Sequence, residues 1–401
     1  MLEPDDGKPS RPVLRGLGVS NGARLLDEVA LHAFIRWDVA GESVLYFPLG
    51  SLVVRYNKAA RSDRSTLKEH FMKAIVYTQY GPPNVLQFKE VPKPTPADDE
   101  VLIKLYAASV NPLDWHLMRG EPWIVRLVTG GPLKPKRKVL GSDIAGRVEA
   151  VGRHVKQFQP GDEVFGARFA GAGFAEYVCA IEDELALKPA NISFEDAAAV
   201  PVAAITALQG LRDKGRIRLG QHVLVDGASG GVGTFAVQIA KSFGAEVTAV
   251  CSTRNVDRAR SIGADHVIDY TREDFTKSGQ RYDLILGANA YHSIFDYRRA
   301  LSQGGIYVGA GGRVRGLAGM LLGSLLALIL SLIGRKKMRG FITKLNKKDL
   351  VFLKDLLEAR KVVPVIDRRY PLSDVAEAIR YLEEGHAQGK VVITVEHSND
   401  T

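Results

Sequence analysis

The stretch that decides the fold is "VLVDGASGGVGTFAVQIAK", Val223 to Lys241. A β-branched run stops at Asp226, four glycines follow at 227, 230, 231 and 233, and an apolar helical pattern begins at once. A tight turn from strand to helix needs residues without a Cβ. Bare backbone N–H groups at a helix N-terminus, where the macrodipole favours negative charge, bind a pyrophosphate. A glycine pattern alone is weak evidence, but here it lies between a strand and a helix with a second strand, "EVTAVCS", in place. Gly227, Ser229, Gly230, Gly231, Val232 and Gly233 are therefore expected to hold a dinucleotide.

The residues after the second strand choose between dinucleotides. An acid about 20 residues beyond the first glycines binds the ribose hydroxyls of NAD. This chain has "CSTRNVD", with Ser252, Thr253 and Arg254 where that acid would stand. Two hydroxyls and a guanidinium suit a 2′-phosphate, so NADPH is the expected cofactor.

Working outward, strands and helices alternate from about residue 196 to "GIYVGAGG", the rhythm of a doubly wound parallel sheet. "SFEDAAAVPVAAITALQGLRDKG" opens this half as helix, with Ser193 as its cap. Asn289, Gly309 and Gly311 fall in loops at strand carboxyl ends, where open α/β sheets hold ligands. Between 72 and 195 short β patterns such as "KAIVYT", "VLIKLYAASV" and "DEVFGARF" are closely punctuated by Gly and Pro, as in a small barrel. Residues 1–71 read as a weakly organised extension, with a short amphipathic helix at "LLDEVALHAFIRW" and a strand pair in "SVLYFPLGSLVVRY". Met72 reads as the natural start of the regular text.

Composition is that of a globular chain of 401 residues, 46% hydrophobic and 25% charged. The two cysteines, Cys179 and Cys251, are too few for a disulfide framework, so a reducing compartment is expected. "MLEPDDGKPS" lacks the basic start and apolar block of a secretory signal, which makes the cytoplasm the expected location. The net charge of +9 equals the nine basic residues between Arg313 and Lys348, a window without acids. The charge is local, and no nucleic-acid motif accompanies it.

That window flanks an uncharged run, residues 317–333. Seventeen residues sit at the lower limit for a membrane-spanning helix. Gly319, Gly323, Ala327 and Ser331 form one small-residue stripe on it, suited to close helix packing.

Several stretches together resemble the medium-chain dehydrogenase/reductase family, in its zinc-independent quinone oxidoreductase branch. They include "MKAIVYTQYGPPNVLQFKEVPKP", "SVNPLDWHLMRG", "GSDIAGRVEAVG", "GASGGVG", "CSTRNVDRARSIGADHVIDY" and "PLSDVAEAIRYLEEGHAQGKVVITV". The resemblance spans about 72–397. It implies a GroES-like β-barrel catalytic domain split between 72–195 and 345–401. A Rossmann domain over 196–344, carrying a hydrophobic insertion at 313–340, would lie between the two parts. A membrane crossing at 317–333 would separate those halves, so the run is expected to cover the cleft or to dip into one leaflet beside anionic headgroups.

The resemblance also places Asn111 and Asp114 beside the nicotinamide and substrate, and His116 where some relatives carry a tyrosine facing the substrate. Asn111 would donate a hydrogen bond, Asp114 would orient it or relay a proton, and His116 could be a proton donor. Tyr270 joins Arg254 near the adenosine phosphate, and Lys390 reaches the cofactor cleft unless it is an ordinary surface lysine. No zinc is expected: "SVNPLDW" has no cysteine, and Ser142 and Asp143 stand where a second ligand would fall. Without a Lewis acid, a quinone or an α,β-unsaturated carbonyl is the expected hydride acceptor. A carbonyl reductase and a membrane-peripheral NADPH-binding protein with little turnover remain alternatives, and the protein is expected to be a monomer or homodimer.

Overall fold

A computed structural model describes residues 70–128, 131–136, 138–169, 171–289, 291–311, 326–327, 329–332 and 334–397, together with the backbone of three strands between 36 and 57. The chain divides into two compact units, Met1–Leu67 and Lys68–Thr401. In the first, β1 (Arg36–Val39), β2 (Glu42–Tyr46) and β3 (Val53–Asn57) form an antiparallel meander. The strand pair expected there is present, and Arg36 and Trp37, expected at a helix end, lie in a strand. The rest of that expected helix is outside the described residues.

In the second unit β4 (Phe71–Val76) pairs with β5 (Gln87–Pro92). Next come β6 (Glu100–Val110), β7 (Asp143–Val151), β8 (Glu163–Ala167), β9 (Tyr177–Ile181) and β10 (Leu185–Leu187). A helix, α1 (Pro112–Arg119), follows β6, and α2 (Phe194–Ala199) and α3 (Pro201–Leu208) follow β10. Ser193 caps α2 by accepting from the Asp196 N–H at 3.0 Å, the arrangement its position in the sequence implied.

The glycine-rich stretch becomes β11 (His222–Asp226) and α4 (Gly231–Ser242). After it come β12 (Glu246–Cys251), α5 (Val256–Ser261), β13 (His266–Asp269), β14 (Tyr282–Gly287), α6 (Ile294–Ala300) and β15 (Leu301–Gly309). The chain closes with β16 (Lys337–Gly340), α7 (Lys347–Glu358), β17 (Ile366–Pro371), α8 (Val375–Glu383) and β18 (Lys390–Thr394). The second sheet runs β13-β12-β11-β14-β15-β16 and all its pairs are parallel. That order reverses direction at β11, and the crevice outside β11 and β14 is where such sheets take ligands.

The other large sheet runs β10-β8-β7-β6-β18-β17, with β9 also paired to β6. Its strand β18, the last in the chain, is antiparallel to β6, with Val391 opposite Val110. This pairing brings residues 109–111 and Lys390 to one end of the sheet.

Residues 337–340, read from sequence as part of the insertion, are the sixth strand of the parallel sheet. Its buried Met338 sits between charged neighbours. Of the uncharged run, residues 317–325, 328 and 333 lie outside the described residues, and with them Gly319 and Gly323. Residues 326–327 and 329–332 are helical. Leu330 is buried, and Leu326 and Ala327 pack on the cluster of Leu224, Ile285, Tyr297, Tyr307 and Met338. The Ser331 hydroxyl donates to the Met338 carbonyl at 2.8 Å. The described half of the small-residue stripe thus lies on this chain's own sheet. Among the described residues no helix is long and apolar enough to cross a membrane.

Candidate functional site

Two backbone facts build the turn after β11. Gly227 has φ +82°, in the left-handed region, and a Cβ there would lie 2.7 Å from Asn289 Cβ. A Cβ on Gly233 would meet the Gly227 carbonyl oxygen at 2.1 Å, so α4 can approach the turn only with glycine at that position. Gly230 is the N-cap in extended conformation, and Thr234 N–H makes the return bond to its carbonyl at 3.0 Å. The N–H groups of the first turn are therefore left to a ligand. Ser229, Gly231 and Val232 are half-buried around it. Across the crevice, the Asn289 N–H donates to the Asp226 carbonyl at 3.3 Å, and the Gly311 N–H to Gly287 at 3.2 Å. Gly309 pairs with Gly287 in the sheet register. Gly227, Asn289, Gly309 and Gly311 thus lie together at the carboxyl ends of β11, β14 and β15.

A polar cluster lies next to the turn. A Cβ built on Gly231 would be 3.0 Å from Lys390 Cδ, so the stem of this lysine runs along the glycine turn. Lys390 is only 3% exposed, which removes the surface-lysine alternative. Its ammonium donates to Asn111 Oδ1 at 2.7 Å and pairs with Asp143 Oδ2 at 3.2 Å. That same carboxylate oxygen accepts from Asn111 Nδ2 at 2.8 Å and from Ser109 Oγ at 2.6 Å. Asp143 Oδ1 accepts from the Val202 N–H at 2.8 Å. Asp143 is fully buried and every one of these contacts is with a donor, as a buried carboxylate requires.

Asn111 also starts α1, with Pro112 at its first position and Asp114 at its third. Asp114 accepts from the Asn111 N–H at 2.7 Å and the Gly141 N–H at 3.1 Å. It is fully buried. Burial pushes its carboxyl up to about 7, Asp143 adds to the rise, and the two N–H donors and Lys390 oppose it. Asp114 thus combines the turn-stabilising role with a proton affinity matched to neutral pH.

His116 is not brought into this cluster. Its Nδ1 lies 2.8 Å from the Glu121 carbonyl, its ring stacks on Trp115, and burial lowers its pKa.

The residues after β12 form a separate group, exposed at Thr253 and Arg254. Thr253 Oγ1 donates to Asp269 Oδ2 at 2.5 Å, and Asn255 Nδ2 donates to Ser252 Oγ at 3.1 Å. The exposed Arg254 reaches the His386 carbonyl at 3.2 Å, and Tyr270 is 58% exposed. The sequence reading found no carboxylate here. Asp269, at the end of the next strand, supplies one, and the Thr253 hydroxyl holds its pKa down.

Sequence reasoning also missed the pair beneath the turn. Tyr297 Oη donates to Asp226 Oδ2 at 2.5 Å, and burial raises the Asp226 carboxyl to about 6. Tyr297 stacks on Tyr307, with ring centroids 4.5 Å apart. The signal was an acid at the end of a buried strand, where an uncharged residue costs less.

Ser142, beside Asp143, is 1% exposed and its hydroxyl has no hydrogen-bond partner among the described residues. Removing it in Ser142→Ala should stabilise the fold by about 1 kcal/mol, read as a raised thermal midpoint. A midpoint lowered by several degrees would mean that the hydroxyl has an internal partner.

The chain matches two family descriptions: an alcohol dehydrogenase GroES-like domain over residues 97–190, and a zinc-binding dehydrogenase over 262–393. It is 34% identical to the chloroplast envelope quinone oxidoreductase homolog of Arabidopsis thaliana, across 80% of this chain and 98% of that one. The chain belongs to the medium-chain dehydrogenase/reductase family, in its quinone oxidoreductase-like branch. The 2-methylene-furan-3-one reductase of Solanum lycopersicum is 37% identical, across 84% of this chain and 82% of that one. Among solved structures, the quinone oxidoreductase from Coxiella burnetii superposes with a TM-score of 0.71 at 30% identity. That match covers 81% of this chain and all of the other. In this family setting, the parallel sheet is the Rossmann half and the β10-to-β17 sheet the GroES-like half.

Proposed function

We propose that the chain is a zinc-independent, NADPH-dependent reductase of quinones or α,β-unsaturated carbonyls, with a lipophilic preference. The observation that carries this reading is the buried Asn111–Asp143–Lys390 cluster lying against the glycine turn. The turn suits a dinucleotide: glycine at 227 and 233 lets the chain turn and α4 approach where a Cβ would meet neighbouring atoms. Arg254 and Ser252 would take the 2′-phosphate, and Thr253 would join them only by releasing its hydroxyl from Asp269. When bound, the nicotinamide supplies a hydride. Asn111 would donate a hydrogen bond to the oxygen on which charge develops, and Asp114 would hold a proton near neutral pH. The donor set does not suit zinc: the one carboxylate of the cluster, Asp143, is taken up by Lys390, Asn111, Ser109 and the Val202 N–H, and the amide, hydroxyl and ammonium around it are not the thiolate or imidazole ligands that would complete a tetrahedral site. A conjugated acceptor removes that need by delocalising the charge itself.

The test is NADPH oxidation against a panel of small quinones, enones and saturated ketones. Acceptor-dependent oxidation with quinones or enones supports the reading. Oxidation with saturated ketones alone would make the chain a carbonyl reductase. NADPH binding with no acceptor-dependent oxidation would leave a cofactor-binding protein with little turnover.

For cofactor choice, Arg254→Ala should weaken NADPH binding about tenfold or more and NADH binding little, since only NADPH carries the phosphate. Equal weakening of both, measured by fluorescence titration, would remove Arg254 from that role. A cytoplasmic location belongs to the same reading, and the two roles for the run at 317–333 separate by liposome binding: a leaflet contact predicts co-sedimentation with anionic but not neutral liposomes, and a cover over the cleft predicts binding to neither.

A further inference from the structure

We infer that Asp143 is a positioning residue for the reduction, acting on substrate through Asn111. The inference rests on the reading of Asn111 as the donor to the substrate oxygen. A carboxamide can face a reaction either way round, since its oxygen and nitrogen ends have nearly the same shape. Here its chemistry leaves one choice. Lys390 has only donors to offer, so the Asn111 atom 2.7 Å from its ammonium must be the carbonyl oxygen. The carboxylate of Asp143 has only acceptors, so the Asn111 atom 2.8 Å away must be the NH2 nitrogen. That nitrogen has two hydrogens, and Asp143 takes one. The second is the hydrogen available to a substrate oxygen.

The ammonium on Oδ1 polarises the amide and strengthens that remaining donor. Asp143 is also the counter-ion that keeps Lys390 in place. It is tied down in turn by Ser109 at the end of β6 and by the Val202 N–H in the first turn of α3. With no exposed surface, Asp143 cannot itself touch a substrate. Everything it contributes to the reaction must pass through Asn111 and Lys390.

A double-mutant cycle on the full chain tests this. Asp143→Asn keeps the shape and removes the charge, and Asp143→Glu keeps the charge but displaces it. The second serves if the first does not fold. Each is made alone and with Asn111→Ala, and assayed well below its thermal midpoint. The single-turnover rate of NADPH oxidation by an enone should fall about tenfold or more in the Asp143 variants, with NADPH affinity changed by less than about threefold. On the Asn111→Ala background the same change should add less than about twofold, because coupled residues are not additive. Binding of p-nitrophenolate, an oxyanion that accepts no hydride, to the protein with NADP+ should weaken in parallel.

Additive effects in the cycle, or a folded variant with an unchanged rate and unchanged phenolate binding, would overturn the inference. If the wild-type chain binds NADPH but reduces neither quinones nor enones, the proposed function and this inference fall together. If it turns over and the cycle is additive, only this inference falls.

Discussion

Lys390→Met should be the most damaging single substitution at the site. The methionine keeps most of the buried stem along the glycine turn but removes the ammonium. The Asp143 carboxylate then stays fully buried, with Ser109, Asn111 and Val202 as neutral donors and no counter-ion. Removing one partner of a buried pair costs about 3–5 kcal/mol, because the remaining charge has lost its compensation. The double variant Lys390→Met with Asp143→Asn should recover most of that loss, since no uncompensated charge remains. Urea melts of the three variants check both statements. A Lys390→Met protein within about 1 kcal/mol of wild type would mean that the pair behaves like an exposed one and that water reaches it. The double variant should regain stability without regaining the rate, because neither replacement restores the polarised Asn111 amide.

How far the sequence anticipated this site depended on whether the deciding contacts were local. The glycine turn was legible because sterics fix it within a few residues: Gly233 must pass the Gly227 carbonyl whatever the rest of the chain does. The Ser193 cap was legible for the same reason. Asp143 was not. It was noticed only as a residue that is no zinc ligand, and its role appears when β7 is set against β6 and β18 arrives from the far end of the chain. Lys390 could equally have been a surface cation by sequence, because burial of a lysine depends on a partner 247 residues away. Asp269 escaped because the sequence test asks about the end of the second strand, whereas this acid approaches Thr253 from the third. The strand β16 was hidden in a basic run. Edge strands tolerate such charges, and only Met338 carries the apolar signal.

Asp114 makes the fold's stability depend on pH in a direction opposite to that of most carboxylates. Its ordinary value is 3.8 and burial raises it to about 7 in the folded chain. The folded state therefore keeps this proton over a pH range in which the unfolded state has lost it. The stability it allows is complete below about pH 4, declines as pH rises, and is fully lost once the pH passes about 7. The gap corresponds to about 4 kcal/mol. Asp226, raised to about 6, adds a loss of the same sign that ends lower. Asp114→Asn cannot ionise and so should remove the larger part of this slope. It should be less stable than wild type near pH 5, because its NH2 group faces an N–H that the carboxyl had accepted. The deficit should shrink or reverse by pH 8. Thermal midpoints of both proteins between pH 5 and 8 measure it. Parallel curves would mean that Asp114 titrates at its ordinary value, held there by its two backbone donors. The same proton sets the expected rate profile. Asp114 is as fully buried as Asp143, so its proton would reach the reduced substrate only through an intervening group or water; on that route wild-type single-turnover rates in NADPH should fall as pH rises through about 7, and that inflection should be absent in Asp114→Asn.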